Sequence, residues 1–127
     1  MELKNEFNPI RVWADEKGIF RKGDTKTQFL KLMEEVGELG KAILKKDVDE
    51  TKDAIGDIVV VLTNLTELAN QDIFVKQYYE DAACDGGSRM LMEDSMEITI
   101  EDCINSAYQV IKNRKGEMKN GTFVKQA

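Results

Sequence analysis

The sequence predicts an all-α protein, an antiparallel helical bundle that ends in a short C-terminal β-hairpin or extended tail. Three observations carry this. Apolar residues recur at three- and four-residue steps over three long stretches, helix-starting residues precede them, and Asn120-Gly121 stands between two short segments of strand character. With 127 residues, the chain fits a single domain over 1–127.

Asn8 and Pro9 supply an N-cap and a first-turn proline, Ile10, Val12, Trp13 and Ala14 continue the helix, and Gly18 closes it, which predicts a first helix over 9–17. Trp13 is expected in the core. Asp24 caps a second helix, in which Phe29, Leu32, Met33, Val36, Leu39 and Ile43 share one stripe. A third starts near Asp47 or Asp49, with Ile55, Ile58, Val59, Leu62, Leu65 and Ala69 on its stripe. The run 58–62 also suits a buried strand, but the helical stripe extends past both of its ends and favours helix. Thr99 with Asp102 caps a fourth helix whose apolar face is Ile100, Cys103, Ile104, Ala107, Val110 and Ile111. Beyond Arg114, Asn120-Gly121 signals a type I′ hairpin.

The formal net charge of -6 is unevenly spread. Residues 71–98 hold seven acids against Lys76 and Arg89, and also Gly86-Gly87-Ser88, so they read as an acidic insertion between helices, partly helical over 74–80 and mobile at the glycines. Residues 99–127 carry five bases and three acids. The acidic total disfavours a nucleic-acid polymer or an anionic membrane as partner.

Composition removes several chemistries. There is no histidine, which excludes His bases, Ser-His-Asp and Cys-His sites, HExxH zinc sites and Glu-x-x-His di-iron bundles. Cys84 and Cys103 form no CxxC pair and are expected to be small packing residues in a reducing cytoplasm. The first ten residues lack a signal-type apolar stretch, and the longest apolar run is too short for a bilayer. A cytoplasmic protein without a membrane partner is the expectation.

The most specific constellation is carboxylate. Glu34, Glu35 and Glu38 stand in EEVGE, where a step of about 100° sets Glu35 beside Glu38 at the margin of the apolar stripe. Glu50, Asp53 and Asp57 line the next helix at steps of three and four. Two acidic ridges flanking two apolar seams face each other when the seams pack. Their mutual repulsion favours a cation between them, and hard oxygen donors without His or Cys select Mg²⁺, with Mn²⁺ as a substitute. Because Mg²⁺ is often shared with substrate phosphates, the geometry suggests a phosphate-bearing substrate. The plain alternative is a solvated face held by local pairs such as Glu38–Lys41 and Glu34–Lys31.

A second set lies around the end of the fourth helix. Lys112, Asn113, Arg114 and Lys115 complement the helix dipole, or hold a polyphosphate tail if that end abuts the acidic site. Asn105 and Tyr108, three residues apart, are candidates to contact a sugar or base.

These residues resemble the MazG-like all-α nucleoside triphosphate pyrophosphohydrolases of compact phage and bacterial type. EEVGELGKAI at 34–43 and KDAIGDIVVVL at 52–62 look like the family's EExxE helix and its E-x-I/L-G-D helix. WADEKGI before them and NSAYQVIKNRKGEMKNGTFVK after them look like the family's ends, so the resemblance covers about 8–70 and 98–125. It implies that Glu35, Glu38 and Asp57 are Mg²⁺ ligands and that Glu34 is a nearby ligand or orients water. One position departs: the Glu of ExxD falls on Ala54, and Asp53, one turn before Asp57, is the replacement candidate, with Glu50 in reserve.

The resemblance further implies hydrolysis between the α and β phosphates of a (deoxy)nucleoside triphosphate, giving a monophosphate and pyrophosphate as nucleotide-pool house-cleaning. Glu38 or Glu35 would activate the water, and Lys112, Arg114 and Lys115 would steady the leaving pyrophosphate. The family fold implies a homodimer or a dimer-based homotetramer, and Val60, Val61 and Leu68, off the main stripe, are expected under a second subunit. Two rival readings are a dUTP- or dCTP-specific diphosphohydrolase and a non-enzymatic acidic helical interaction module.

Overall fold

The computed structural model describes residues 6–85 and 98–127, without the side chains of 73–85. Five helices and one hairpin follow in order: α1 (Asn8–Glu16), α2 (Ile19–Lys22), α3 (Thr25–Lys45), α4 (Val48–Asp85), α5 (Ile100–Ile111), β1 (Gly116–Lys119) and β2 (Thr122–Lys125). Among the described residues no helix is long and apolar enough to cross a membrane.

The first helix starts one residue earlier than the sequence suggests. Phe7 is its N-cap, Asn8 lies inside the first turn, and the Asn8 side chain accepts a hydrogen bond from Arg11 Nη1 at 2.8 Å instead of capping the backbone. Gly18, at φ 79°, ends α1 and turns the chain into α2, a single helical turn that the periodicity did not reveal.

The centre of the fold is the antiparallel pair α3 and α4. Asp24 caps α3 as expected, accepting from the Thr27 backbone N–H at 2.8 Å. Lys46 and Asp47 join the two helices: Lys46 adopts φ 58°, its N–H and that of Asp47 close on Ile43 and Ala42, and the Asp47 side chain accepts from the Glu50 N–H at 3.0 Å. At the far end Thr25 Oγ1 donates to Asp72 at 2.5 Å, which fixes the register of the pair along its length.

Residues 58–62 are helical, and α4 continues to Asp85, so the helix expected over 74–80 is part of one long element. Residues 86–97, with the glycine turn expected there, lie outside the described residues, as does the Cys84 side chain.

Arg11 ties three helices together. Its guanidinium donates to Glu67 of α4 at 2.9 Å and binds Glu101 of α5 through two nitrogens, one at 3.0 Å. Thr99 caps α5 as expected, accepting from the Asp102 N–H at 3.1 Å, and the Ile98 N–H donates to Asn70 Oδ1 at 2.9 Å. The hairpin pairs Met118 with Phe123 and Lys119 with Thr122 around Asn120 (φ 51°) and Gly121 (φ 80°), the type I′ geometry its sequence signals.

Among the described residues Ala14, Ala42, Ala54, Val61, Leu68 and Ile100 are the buried apolar side chains. This corrects four expectations. Val61 and Leu68, seven and fourteen residues after Ala54, are buried within the subunit because α4 is packed by α1, α2 and α5 as well as α3. Trp13 is 44% exposed, and its neighbour Ala14 is the buried residue of α1. Cys103 is exposed on α5. Finally, Phe29, Met33, Val36, Ile43 and Ile55, read as stripe residues, are about half exposed along one flank of the α3–α4 pair.

Candidate active site

The opposite flank of that pair is acidic. On α3, Glu35 is one turn from Glu38 and one further step of seven reaches Lys45, while on α4 Glu50, Asp53, Ala54 and Asp57 share a face. When the helices pack, these residues and Lys41 line one open cleft of about 290 Å³. Glu35 sits deepest and is buried, Ala54 forms part of the floor, and Glu38, Glu50, Asp53 and Asp57 are exposed at the walls.

The fold therefore brings together Glu35, Glu38, Asp53 and Asp57, with Glu50 beside them. Glu34 does not line the cleft; it points outward, well exposed, with Lys31 at 3.5 Å. Lys45 was not singled out by sequence reasoning, although the helical spacing from Glu38 was its signal; Ala54, the position that departs from ExxD, does line the cleft.

Each glutamate of the cleft is paired with a lysine. Glu35 Oε1 lies 3.1 Å from Lys31 Nζ, Glu38 lies 3.8 Å from Lys41, and Glu50 of α4 lies 3.6 Å from Lys45 of α3. The hydrogen bond to Glu35, above all, holds the Lys31 ammonium above its ordinary pKa. The local pairs Glu34–Lys31 and Glu38–Lys41 anticipated from spacing are thus formed, on a face that is also a cleft. Among the described residues no three acidic or thiol groups converge closely enough to hold a metal ion. The donor set nonetheless suits a hard cation in kind, being carboxylate oxygen throughout, and four of its five members are exposed.

The second predicted set lies elsewhere. Tyr108, Lys112, Arg114 and Lys115 are exposed and, like Asn105, are absent from the walls of the acidic cleft. Asn105 is half-buried on α5; its Oδ1 is enclosed and has no hydrogen-bond partner among the described residues, a condition shared by Asn64 Oδ1 on α4. Lys115 instead lines a separate groove on the hairpin.

Comparison with known proteins fits the α3–α4 geometry. Residues 24–80, which run from the cap of α3 through the cleft and along α4, match the model of the MazG nucleotide pyrophosphohydrolase domain. This segment is similar to the MazG domain. The match contains every residue of the acidic cleft, and a predominantly helical chain with one small sheet is consistent with the all-α MazG fold. A curated relative, described as an uncharacterized 18.2 kDa protein in the rep-hol intergenic region of Haemophilus phage HP1, is 36% identical over 66 residues. Those residues are 52% of this chain and 40% of the relative, so the chain matches less than half of that protein's length. No solved structure matches.

Proposed function

We propose that the chain is a Mg²⁺-dependent nucleoside triphosphate pyrophosphohydrolase that converts (deoxy)nucleoside triphosphates to the monophosphate and pyrophosphate. The observation that supports it most is the convergence of Glu35, Glu38, Asp53 and Asp57 from two helices onto one cleft inside the MazG-matching segment. Members of this family typically depend on a divalent metal.

In this reading Glu35, Glu38, Asp53 and Asp57 hold the ion, with Asp53 in the role that Ala54 cannot fill. When bound, Mg²⁺ neutralises phosphate charge and aligns the polyphosphate for in-line attack. Glu38, exposed in the cleft, accepts the proton of the attacking water; Glu34, outside the cleft, orients water at its edge. Water adds to the α-phosphorus, the bond to the α–β bridging oxygen breaks, and pyrophosphate departs with that oxygen. Lys41 and Lys45 offset the charge of the departing group. Loading the site requires Lys31, Lys41 and Lys45 to release their glutamates, and the exposed pairs made by Lys41 and Lys45 hold by only about 0.2–1 kcal/mol each.

The exposed flank of Phe29, Met33, Val36, Ile43 and Ile55 supports a homodimer or a dimer-based tetramer, because one chain leaves these side chains uncovered. A monomer by light scattering at micromolar concentration contradicts this part.

The test is pyrophosphate release from the eight common NTPs and dNTPs with Mg²⁺, repeated for Glu38→Gln and Asp57→Asn. Wild type is expected to turn over at least one nucleotide and both variants to lose activity by a hundred-fold or more, about 10²-fold being usual for a general base. Full activity in both variants, or none in the wild type, overturns the reading.

A further inference from the structure

Two enclosed side-chain oxygens have no hydrogen-bond partner among the described residues, and both are amide carbonyls: Asn64 Oδ1 on α4 and Asn105 Oδ1 on α5. Asn64 is 3% exposed and interrupts the buried stripe of Val61 and Leu68, where an apolar residue would pack without a polar group to satisfy. An acceptor enclosed in this way carries a desolvation cost that an arriving donor cancels.

The contacts between the helices set the two asparagines level with each other. The Ile98 N–H donates to Asn70, and Arg11 joins Glu67 to Glu101. Hence α5 runs antiparallel to α4, and each step of three back along α4 is a step of three forward along α5. The next such step reaches Asn64 on α4 and Ile104, the neighbour of Asn105, on α5. Asn64 precedes Glu67 by three residues and Asn105 follows Glu101 by four, so each shares a face with its helix's ligand to Arg11.

The same register sets 106–111 level with 57–62, yet 106–111 are exposed. The angle between the two helices therefore opens toward Asp57 in the acidic cleft and closes at the asparagines. Asn64 stands two turns, about 10 Å, from Asp57 on the same face of α4. The sugar and base of a nucleotide whose phosphates lie at Asp57 bridge a span of that order.

The kind of base follows from the two acceptors. Carbonyl oxygens facing one space repel each other unless a group with two N–H bonds lies between them, and a primary amine on a flat ring is such a group. An oxo group in its place leaves both oxygens unpaired and adds a third acceptor.

We infer that Asn64 and Asn105 select nucleotides whose base carries an exocyclic amino group, as cytosine and adenine do, over those with an oxo group at that position, such as uracil and hypoxanthine. The inference rests on the reading of the cleft as the nucleotide site. The amine donates one hydrogen to each Oδ1, and discrimination comes from the unpaired acceptors that the oxo base leaves behind.

Calorimetric binding to the full chain with Mg²⁺ tests it. The probes are the α,β-imido analogues of dCTP and dUTP, which differ at the amino or oxo position of the base and resist cleavage at the α–β bridge, and the same analogues of ATP and ITP. Each amino-bearing analogue is expected to bind about ten-fold or more tightly than its oxo counterpart. Asn64→Leu is expected to cut the preference to less than about three-fold while leaving the melting temperature equal or higher, since an unpaired buried amide gives way to an apolar side chain. Asn105→Ala, at a half-buried position, is expected to cut the preference likewise and serves if Asn64→Leu does not fold. Equal affinities in wild type mean that the two oxygens hold only a buried water; that result overturns the inference and leaves the nucleotide reading standing. A preference that survives both substitutions also overturns it. A wild type that binds none of the four analogues removes the nucleotide reading and this inference together.

Discussion

Lys31 Nζ lies 3.1 Å from Glu35 Oε1, so the deepest carboxylate of the cleft is held by a cation from one turn earlier on its own helix. Lys31 itself is half exposed and is not a wall of the cleft. It competes with a metal ion for Glu35 without being able to help bind one. Lys31→Met is therefore expected to lower the half-saturating Mg²⁺ concentration by about two- to five-fold, the equivalent of a pair worth about 0.4–1 kcal/mol. Isothermal titration with Mg²⁺ measures this; an unchanged or weakened affinity contradicts the competition.

Asp53 and Glu50 both line the cleft, but Glu50 is engaged by Lys45 at 3.6 Å, and no ion pair ties down Asp53 among the described residues. Asp53 also stands one turn from Asp57 on the same side of α4. Asp53→Asn is expected to weaken Mg²⁺ binding about ten-fold or more, on the scale of 10–100-fold seen when a metal site loses a supporting group. Glu50→Gln should change it less than three-fold. Equal effects from the two substitutions would remove Asp53 from the ligand set.

The Arg11 cluster makes stability depend on pH. Hydrogen bonding from Arg11 holds the Glu101 carboxyl below its ordinary range, and the same bond raises the Arg11 pKa. A carboxyl whose pKa is depressed on folding stabilises the fold above its unfolded value, about 4.3 for Glu, and loses that contribution as pH falls through the folded value. Wild type should accordingly melt at lower temperature at about pH 3.5 than at pH 7, and Glu101→Gln should show a smaller drop. Arg11→Met should cost about 2 kcal/mol at neutral pH, since it removes charged hydrogen bonds to Glu67 and Glu101 together. Thermal melts followed by circular dichroism at the two pH values decide both points.

Lys46 holds a left-handed backbone at φ 58° in the tight link between α3 and α4. A residue with a Cβ costs about 1–2 kcal/mol there, and glycine relieves it. Lys46→Gly is expected to raise stability by about 1 kcal/mol, a gain of about 4 °C in Tm. A lower Tm would mean that the Lys46 side chain contributes more than its backbone conformation costs.

Much of this molecule was legible because its local signals agree. Asp24 and Thr99 cap the helices their sequences announce, and Asn120-Gly121 turns the hairpin. The acidic cleft was legible for the same reason: a helical step of three or four puts Glu35 with Glu38 and Asp53 with Asp57 before any packing is known. What periodicity did not convey is which apolar face is covered. Ala54, Val61 and Leu68 became the inner face of α4 because four other helices pack around it, while Phe29 and Ile55, equally apolar, were left at the surface. The position of Lys115 was illegible for a related reason: nothing in residues 112–115 specifies how far α5 leans from the body.

The length of α4 separates Asp72 from the acidic cleft. At a rise of about 1.5 Å per residue, Asp72 lies about 22 Å along the helix from Asp57, and Asp85 about 42 Å. Ions at physiological strength screen exposed charges over about 8 Å. The Asp72 charge is therefore more than two screening lengths from the cleft. It does not raise the electrostatic barrier that an incoming polyanion meets at Glu35 and Asp57.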